Sequence, residues 1–521
     1  MKKNWCVAFV ALALCATAAC KKSDTGKNQV KKIGILMRTL EVLGTEEAAE
    51  IRECIRQNAG NLNPRSGFTP LMLAATKNAT DVAKLLIKAG ADVNAKDKDD
   101  RSALIYAADD NAIDMAQLLI KSGADVNAKD EDGKSALIYA ADDNAIDMAQ
   151  LLIKSGADVN AKSDYGYTAL MYAADDNAIE LAQLLIKSGA DMNAKDRYDR
   201  TALMKAAVKN ELDFARLLIK SGADVNARDE DDETALMKAA RFSEDMTKLL
   251  IAEKADVNAK NNINQTALMF AVKYNAVDIA KMLIKKGVDI NAKDWQGETA
   301  LMYAAKRNQI ENLKFLLEAG ADINETNQYG NTAFMLAVKS NSMDTVKLLI
   351  KNGADVNAKD YQGLTALMYA ALNNATDTAK LLIAEGADMY AKDKDGYTVL
   401  MAAAEGNATD TAKLFIEAGM DVNAKMDSKP RPLSSGWIGA GWVDSYQMID
   451  DWTALMLAAY RNAADVARLL IKAGADVNTK TNEGKTALTL AFEAEADMNR
   501  EKPTPIKYEV IDVLKAAGAK E

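Results

Sequence analysis

The chain has 521 residues and no histidine. Every mechanism that needs an imidazole is excluded, including Ser-His-Asp and Cys-His nucleophiles and His-ligated zinc. Aromatics are scarce at 6%, so the core must be built from small aliphatic side chains. Positive charge is also short: 65 Lys+Arg face 75 Asp+Glu, a net charge of -10, which argues against nucleic-acid binding through bulk positive charge. Four cysteines, Cys6, Cys15, Cys20 and Cys54, do not make a disulfide framework, because the first two sit in an N-terminal apolar run. What is present, 49% hydrophobic and 27% charged residues, describes a foldable chain.

The N-terminus reads as an export signal. Lys2 and Lys3 precede an apolar run from Trp5 to Ala19 that is too short to cross a bilayer comfortably. The run ends in Ala16-Thr17-Ala18-Ala19-Cys20 and turns polar at Lys21. Small residues before a Cys, followed by a polar stretch, resemble the lipobox of bacterial lipoproteins, with Thr17 in place of the usual Leu. The resemblance implies a signal peptide over 1–19, acylation of Cys20, a polar tether over 20–30 and a site in the cell envelope, at the outer membrane or facing the periplasm. Cleavage after Ala18 is the alternative, leaving a soluble periplasmic or secreted protein.

The body is a repeat. A Thr/Ser-Ala-Leu-Met-like segment is anchored at Thr69, Ser102, Ser135, Thr168, Thr201, Thr234, Thr266, Thr299, Thr332, Thr365, Thr398, Thr453 and Thr486, mostly 33 residues apart. The 28 residues from Ser102 to Lys129 recur unchanged from Ser135 to Lys162, a sign of duplication. A fixed period in this range means a solenoid. Two residues before each anchor stands Gly, Asp or Asn, the residues that tolerate a left-handed turn. The anchor hydroxyl is placed to cap a first helix. In eleven units Asn stops that helix nine residues after the anchor. A second helix carries Leu-Leu-Ile and ends at Gly, as in Leu85-Leu86-Ile87 and Gly90.

Thr332-Ala333-Phe334-Met335-Leu336-Ala337 and Gly353-Ala354-Asp355-Val356-Asn357-Ala358 resemble the two signature segments of the ankyrin repeat. The likeness covers about 460 residues and implies an all-α solenoid of thirteen ankyrin repeats over 64–521, behind a degenerate N-terminal cap at 31–63. Cap helices are expected at Ile33–Leu43 and Glu46–Asn58, and a closing helix at Tyr508–Ala517 within a C-terminal cap at 486–521. In the family a His three residues after the anchor tethers the turn; here that position is Met, Ile or Thr489. A 22-residue insertion within 426–450 interrupts the period.

The resemblance also implies a non-enzymatic protein-binding scaffold. In this family contacts concentrate on the finger-like turns and the end of the first helix, which are the residues one, three and four before the anchor and seven and eight after it. Aromatics gather on the fingers at Tyr165, Tyr167, Tyr198, Trp295, Tyr329, Tyr361, Tyr397 and Trp452, and interfaces favour Tyr and Trp. Trp437 and Trp442 stand in the insertion. Helix ends carry an acidic row with Asp110, Asp143 and Asp176, then a basic row with Lys209, Arg241, Lys273, Arg307 and Lys339. Tyr106, Tyr139, Tyr172, Tyr303 and Tyr369, four after their anchors, are assigned to the core. No catalytic pair, metal site or cofactor motif emerges. Gly133-Lys134-Ser135 and Gly484-Lys485-Thr486 lack the earlier Gly of a phosphate loop, and the clusters at 97–100 and 229–233 lack calcium-loop spacing. The expected partner is a protein, bound by a monomer that meets the membrane only through its lipid. Binding of a small molecule or glycan on an aromatic concave face is the alternative.

Overall fold

The computed structural model describes residues 24–58, 60–64, 67–427, 431–432, 448–449, 451–499 and 507–520. Among them 28 helices and one two-stranded pairing are formed. The chain divides into two units. The first runs to Ala239 and takes in Ser243–Asn262; the second comprises Ala240–Phe242 and Ile263–Glu521. Each is an all-α stack of helix pairs.

One pair in each unit shows the plan. Ala103–Asp109 is followed by Ile113–Lys121, and Ala333–Lys339 by Met343–Lys351. The first helix is short and its Ala-rich face is fully buried, as at Ala107, Ala108, Ala337 and Val338. Small side chains let the next repeat approach closely, which is how a chain poor in aromatics fills its core. Turn chemistry follows the residues. All thirteen Gly, Asp or Asn residues two before the anchors have positive φ. So do the eleven Asn residues nine after, at 49° to 61°. Anchor hydroxyls accept a backbone N–H three residues on, as Thr332 does from Met335 at 3.3 Å, worth about 1 kcal/mol per cap. Ser135 is an exception and makes no such bond.

Identical ties join neighbouring repeats within each unit. Asn94 accepts from Asp125 N (2.7 Å) and donates to the Gly123 carbonyl (3.0 Å). Lys96 Nζ donates to the Lys129 carbonyl at 2.8 Å. In the second unit Asn357 bonds Asp388 N and the Gly386 carbonyl, and Lys359 Nζ donates to the Lys392 carbonyl. The loop between repeats is thus a polar seam in which the Asn and Lys side chains serve the next copy while the Asp folds its own turn, as Asp92 does by accepting Asn94 N at 2.9 Å.

The ends depart from expectation. The first helix spans Asp24–Leu43, so residues 24–30, expected as tether, are helical. With no proline in it, the segment extends a helix already nucleated at Ile33–Leu43, since propagation is easier than nucleation. Leu36, Met37 and Leu40 are buried, and the helix packs on Glu46–Gln57 and Thr80–Ala89. At the other end Ala487–Asn499 is longer than other first helices, and Glu509–Ala516 closes the stack with Val510, Ile511 and Leu514 buried. The insertion leaves and returns at one place: Arg431–Pro432 pairs antiparallel with Met448–Ile449, and Met426 N donates to the Trp452 carbonyl at 3.0 Å.

Candidate functional site

Seven of the fingers are organised by a buried Asp five residues before the anchor, at 97, 130, 196, 229, 294, 360 and 393. Asp294 Oδ1 accepts the backbone N–H groups of Gln296 and Glu298 (2.9 and 2.8 Å), which folds the turn around it. Its other oxygen accepts the Tyr303 hydroxyl at 2.8 Å, from four after the anchor. Asp97 with Tyr106, Asp130 with Tyr139, and Asp360 with Tyr369 repeat the arrangement. Burial, then the bond to Asp, pushes the Tyr106, Tyr139 and Tyr303 hydroxyls above their ordinary pKa. Lys238 takes the Tyr position in its own repeat and pairs with Asp229 at 2.6 Å and Glu233 at 3.0 Å. The methionine that stands where His was expected contributes directly in two repeats: Met72 and Met456 sulfurs accept the anchor N–H at 3.2 and 3.5 Å, a weak bond.

Fingers so built line up side by side. In the first unit Glu131 N donates to the Asp99 carbonyl, Asp164 to Asp132, Arg197 to Tyr165 and Glu230 to Tyr198. In the second Trp295 N donates to the Ile263 carbonyl, Gln328 to Gln296 and Tyr361 to Tyr329. The second unit therefore presents a row of tips in which Trp295 is 58% exposed, Tyr329 55% and Tyr361 61%. In the first unit the Arg197 guanidinium lies 4.6 Å from the ring centres of both Tyr165 and Tyr198.

The residue one before the anchor does something else. It turns back along the helix and meets the residue seven after. Arg101 pairs with Asp109 (3.7 Å), Lys134 with Asp142 (3.2 Å), Glu298 with Lys306 (3.3 Å) and Lys485 with Glu493 (3.0 Å). Asn331 accepts from Lys339 at 2.7 Å. The signs reverse together along the chain, so the charge at seven after is largely answered within its own repeat. The residue eight after looks to the preceding repeat where it is paired at all, as Lys77 with Glu50 (3.1 Å) and Arg461 with Glu405 (2.8 Å). Asp110, Asp143 and Asp176 are exposed and carry no ion pair among the described residues. Burial, then Asp109, pushes the Asp110 carboxyl up; burial, then Asp109 and Asp142, does so for Asp143.

The profile described as ankyrin repeats (3 copies) matches 24–97, 47–130, 71–163, 104–196, 137–229, 203–294, 294–360 and 360–426, and that described as ankyrin repeats (many copies) matches 446–491. The chain belongs to the ankyrin-repeat family. No curated protein matches it. An ankyrin array is a protein–protein interaction scaffold.

Within this ankyrin array the predicted site residues separate into three groups. Tyr165, Trp295, Tyr329 and Tyr361 are exposed finger tips, and Tyr198 is half-buried beside Arg197. Asp110, Asp143, Asp176 and Arg307 are exposed helix-end charges, and Lys273 is half-buried. Others were misplaced. Tyr397 and Trp452 are 1% and 3% exposed, because they stand one before their anchors and turn inward. The Tyr397 hydroxyl donates to Glu405 at 2.6 Å, and Trp452 packs edge-on against Tyr460 at 5.5 Å. Tyr167, in the same position, is half-buried; its hydroxyl accepts from Lys205 at 2.7 Å. Lys209 belongs to the first unit and faces Asp175 at 3.8 Å, so it answers the acidic row instead of extending a basic one. Arg241 is half-buried with its guanidinium 4.6 Å from the Phe270 ring centre. Lys339 is half-buried 3.8 Å from the Tyr369 ring centre. Cys20, Trp437 and Trp442 lie outside the described residues.

Two residues of this face escaped the sequence reading. Phe242 and Tyr274, each eight after its anchor, are 76% and 43% exposed and meet edge-on at 4.9 Å. The signal was available: the same position in other repeats is charged, polar or small (Asp, Lys, Arg, Ser, Asn, Gly or Ala), so an aromatic there serves no core.

Proposed function

We propose that this ankyrin array is an exported, lipid-anchored scaffold of the bacterial envelope that binds a protein partner through its second unit. The observation that carries the reading is the exposed aromatic set of that unit, Trp295, Tyr329 and Tyr361 on the fingers with Phe242 and Tyr274 at the helix ends. Five large rings held in solvent on otherwise polar turns serve no fold, and aromatic anchors dominate binding energy at interfaces. Lys273 directly precedes Tyr274, and Arg307 holds the Tyr274 position one repeat on; both favour a partner with acidic residues around an apolar centre. Export and anchoring rest on the sequence of residues 1–20.

Capture from an envelope extract tests binding. A defined protein should be recovered, and each of Trp295→Ala, Tyr361→Ala and Phe242→Ala should weaken it by roughly thirtyfold, the effect of about 2 kcal/mol. Undiminished capture by the triple variant would remove this site. A mass spectrum of the mature N-terminus tests anchoring separately: acyl mass on Cys20 supports it, and an unmodified Ala19 terminus ends it.

A further inference from the structure

The outer face of an end helix in a stacked array is exposed to water and is ordinarily polar. The helix Asp24–Leu43 breaks that rule. Its inner face, Leu36, Met37 and Leu40, is buried against Glu46–Gln57 and Thr80–Ala89. Its outer face exposes Ile35 at 58% and Val42 at 86%, with Leu43 at 42% at the end. Lys31, Ile35, Arg38 and Val42 follow one another at spacings of four, three and four, which puts them in one line on a helix. Lys32 and Thr39 flank that line, again seven apart. Lys31, Lys32 and Arg38 are all exposed. Over Lys31–Leu43 the only acid is Glu41, about 90° round from the line on the side away from Lys32, while the whole chain carries a net charge of -10. An exposed stripe of cations and aliphatics without acid is therefore a local reversal of the protein's charge. It lies immediately after the segment that carries Cys20.

We propose that this face lies on an anionic phospholipid surface, with Lys31, Lys32 and Arg38 at the headgroups and Ile35 and Val42 entering the interface. The helix would dock the first repeat of the array against the bilayer and fix the direction in which the fingers leave it. Cations suit lipid phosphates and aliphatics suit the boundary beneath them, the pattern of an interfacial helix. The inference rests on the envelope-anchored reading for how the helix reaches a bilayer, but the contact itself needs no acyl chain.

The test is partition of the purified full chain between water and vesicles of pure phosphatidylcholine, or of phosphatidylcholine with phosphatidylglycerol. An acyl chain, or the apolar run at 5–19, binds both vesicles alike, whereas Lys2, Lys3, Lys21 and Lys22 also favour the anionic one, so the part of the affinity ratio that the charge variant below removes isolates the helix. Three cations near an anionic surface predict a factor of about 100 in that ratio, falling steeply with added salt. Lys31→Glu, Lys32→Glu and Arg38→Glu together should lower the ratio about a hundredfold with the circular dichroism unchanged. Ile35→Ser with Val42→Ser should lower binding to the anionic vesicles about tenfold. A ratio that the triple charge variant leaves unaltered overturns the proposal. So does self-association of the free chain that Val42→Ser abolishes, which would assign the face to a second copy. An unmodified N-terminus in the mass spectrum would remove the anchor and leave this ratio standing.

Discussion

Two runs of four repeats, one in each unit, share a backbone plan and fill one position of it with opposite chemistry. Thirteen residues after the anchor the first unit places Met115, Met148, Leu181 and Phe214 in consecutive repeats, all fully buried. The second places Asn312, Thr345, Thr378 and Thr411, buried as deeply. Each of these polar groups is tied to the Asn that stops the first helix of the preceding repeat: Asn312 to Asn275 at 3.0 Å, Thr345 to Asn308 at 2.8 Å, Thr378 to Asn341 at 3.4 Å and Thr411 to Asn374 at 3.3 Å. A buried hydroxyl or amide costs free energy unless it is bonded. Here the acceptor was already present, because the turn needs a residue that tolerates positive φ and Asn supplies both the φ and a carbonyl. In the first run Asn78, Asn111, Asn144 and Asn177 serve the turn alone, and only Asn210, at its end, takes a hydroxyl from the next repeat, that of Ser243. Backbone necessity in one repeat thus makes polar burial possible in the next.

The strongest way to break the comparison lies four after the anchor, where the first unit has Lys238 and the second Tyr303. Lys238→Met takes a buried cation from the carboxylates of Asp229 and Glu233 and should destabilise the first unit by about 3–5 kcal/mol in urea unfolding. Tyr303→Phe strands one oxygen of Asp294 and should cost about 1–3 kcal/mol. Equal losses would mean that the charge at Lys238 is no different in kind from the phenol.

Next in size is an exchange of the thirteenth position. Met148→Thr opens a cavity and should cost about 2–4 kcal/mol, even though Asn111 stands ready to accept the new hydroxyl. Thr345→Val should cost less than about 1 kcal/mol, since Asn308 is exposed and its carbonyl can turn to water. Asn312 gives a sign change. Its Oδ1 is buried without a hydrogen bond, so Asn312→Leu, which borrows the chemistry of the first unit, should stabilise the second by about 1–2 kcal/mol in thermal unfolding.

The smallest effect is a pH slope. Burial pulls the Lys339 amine down to about 8, with Asp360 opposing and Lys306 adding to the fall. Between that value and the unfolded lysine pKa of about 10.4 the folded chain binds fewer protons than the unfolded one, so stability of the second unit should rise with pH. Above about pH 10 the slope should reverse, because the Tyr303 hydroxyl keeps its proton longer folded than unfolded. Lys339→Met should remove the rise, and a rise that survives the substitution assigns it elsewhere.

Local rules were legible without coordinates. Positive φ at Gly330 or Asp100, the cap at Thr332 and the stop at Asn341 follow from residues a few positions apart. The tips Trp295 and Tyr361 were found because three and four before the anchor point outward. What misled was one before the anchor. Tyr397 and Trp452 look like finger residues by position, and only the return of the chain over its own helix buries them. The same return pairs Arg101 with Asp109, so a row that reads as a free acidic stripe is half neutralised. A sequence cue existed: Arg101–Asp109, Lys134–Asp142 and Glu298–Lys306 keep opposite signs eight residues apart. Phe242 and Tyr274 were missed because helix ends were searched for charge alone.

The seam of Asn, Lys and finger bonds has a consequence under tension. Pulled along its length, a unit would not stretch gradually, because each repeat is held to its neighbour by nearly the same few contacts and to nothing further away. It should give way one repeat at a time. Each event would release 33 residues of chain, roughly 110 Å when fully extended. A sawtooth of equal teeth would make the protein a spring that lengthens at nearly constant force.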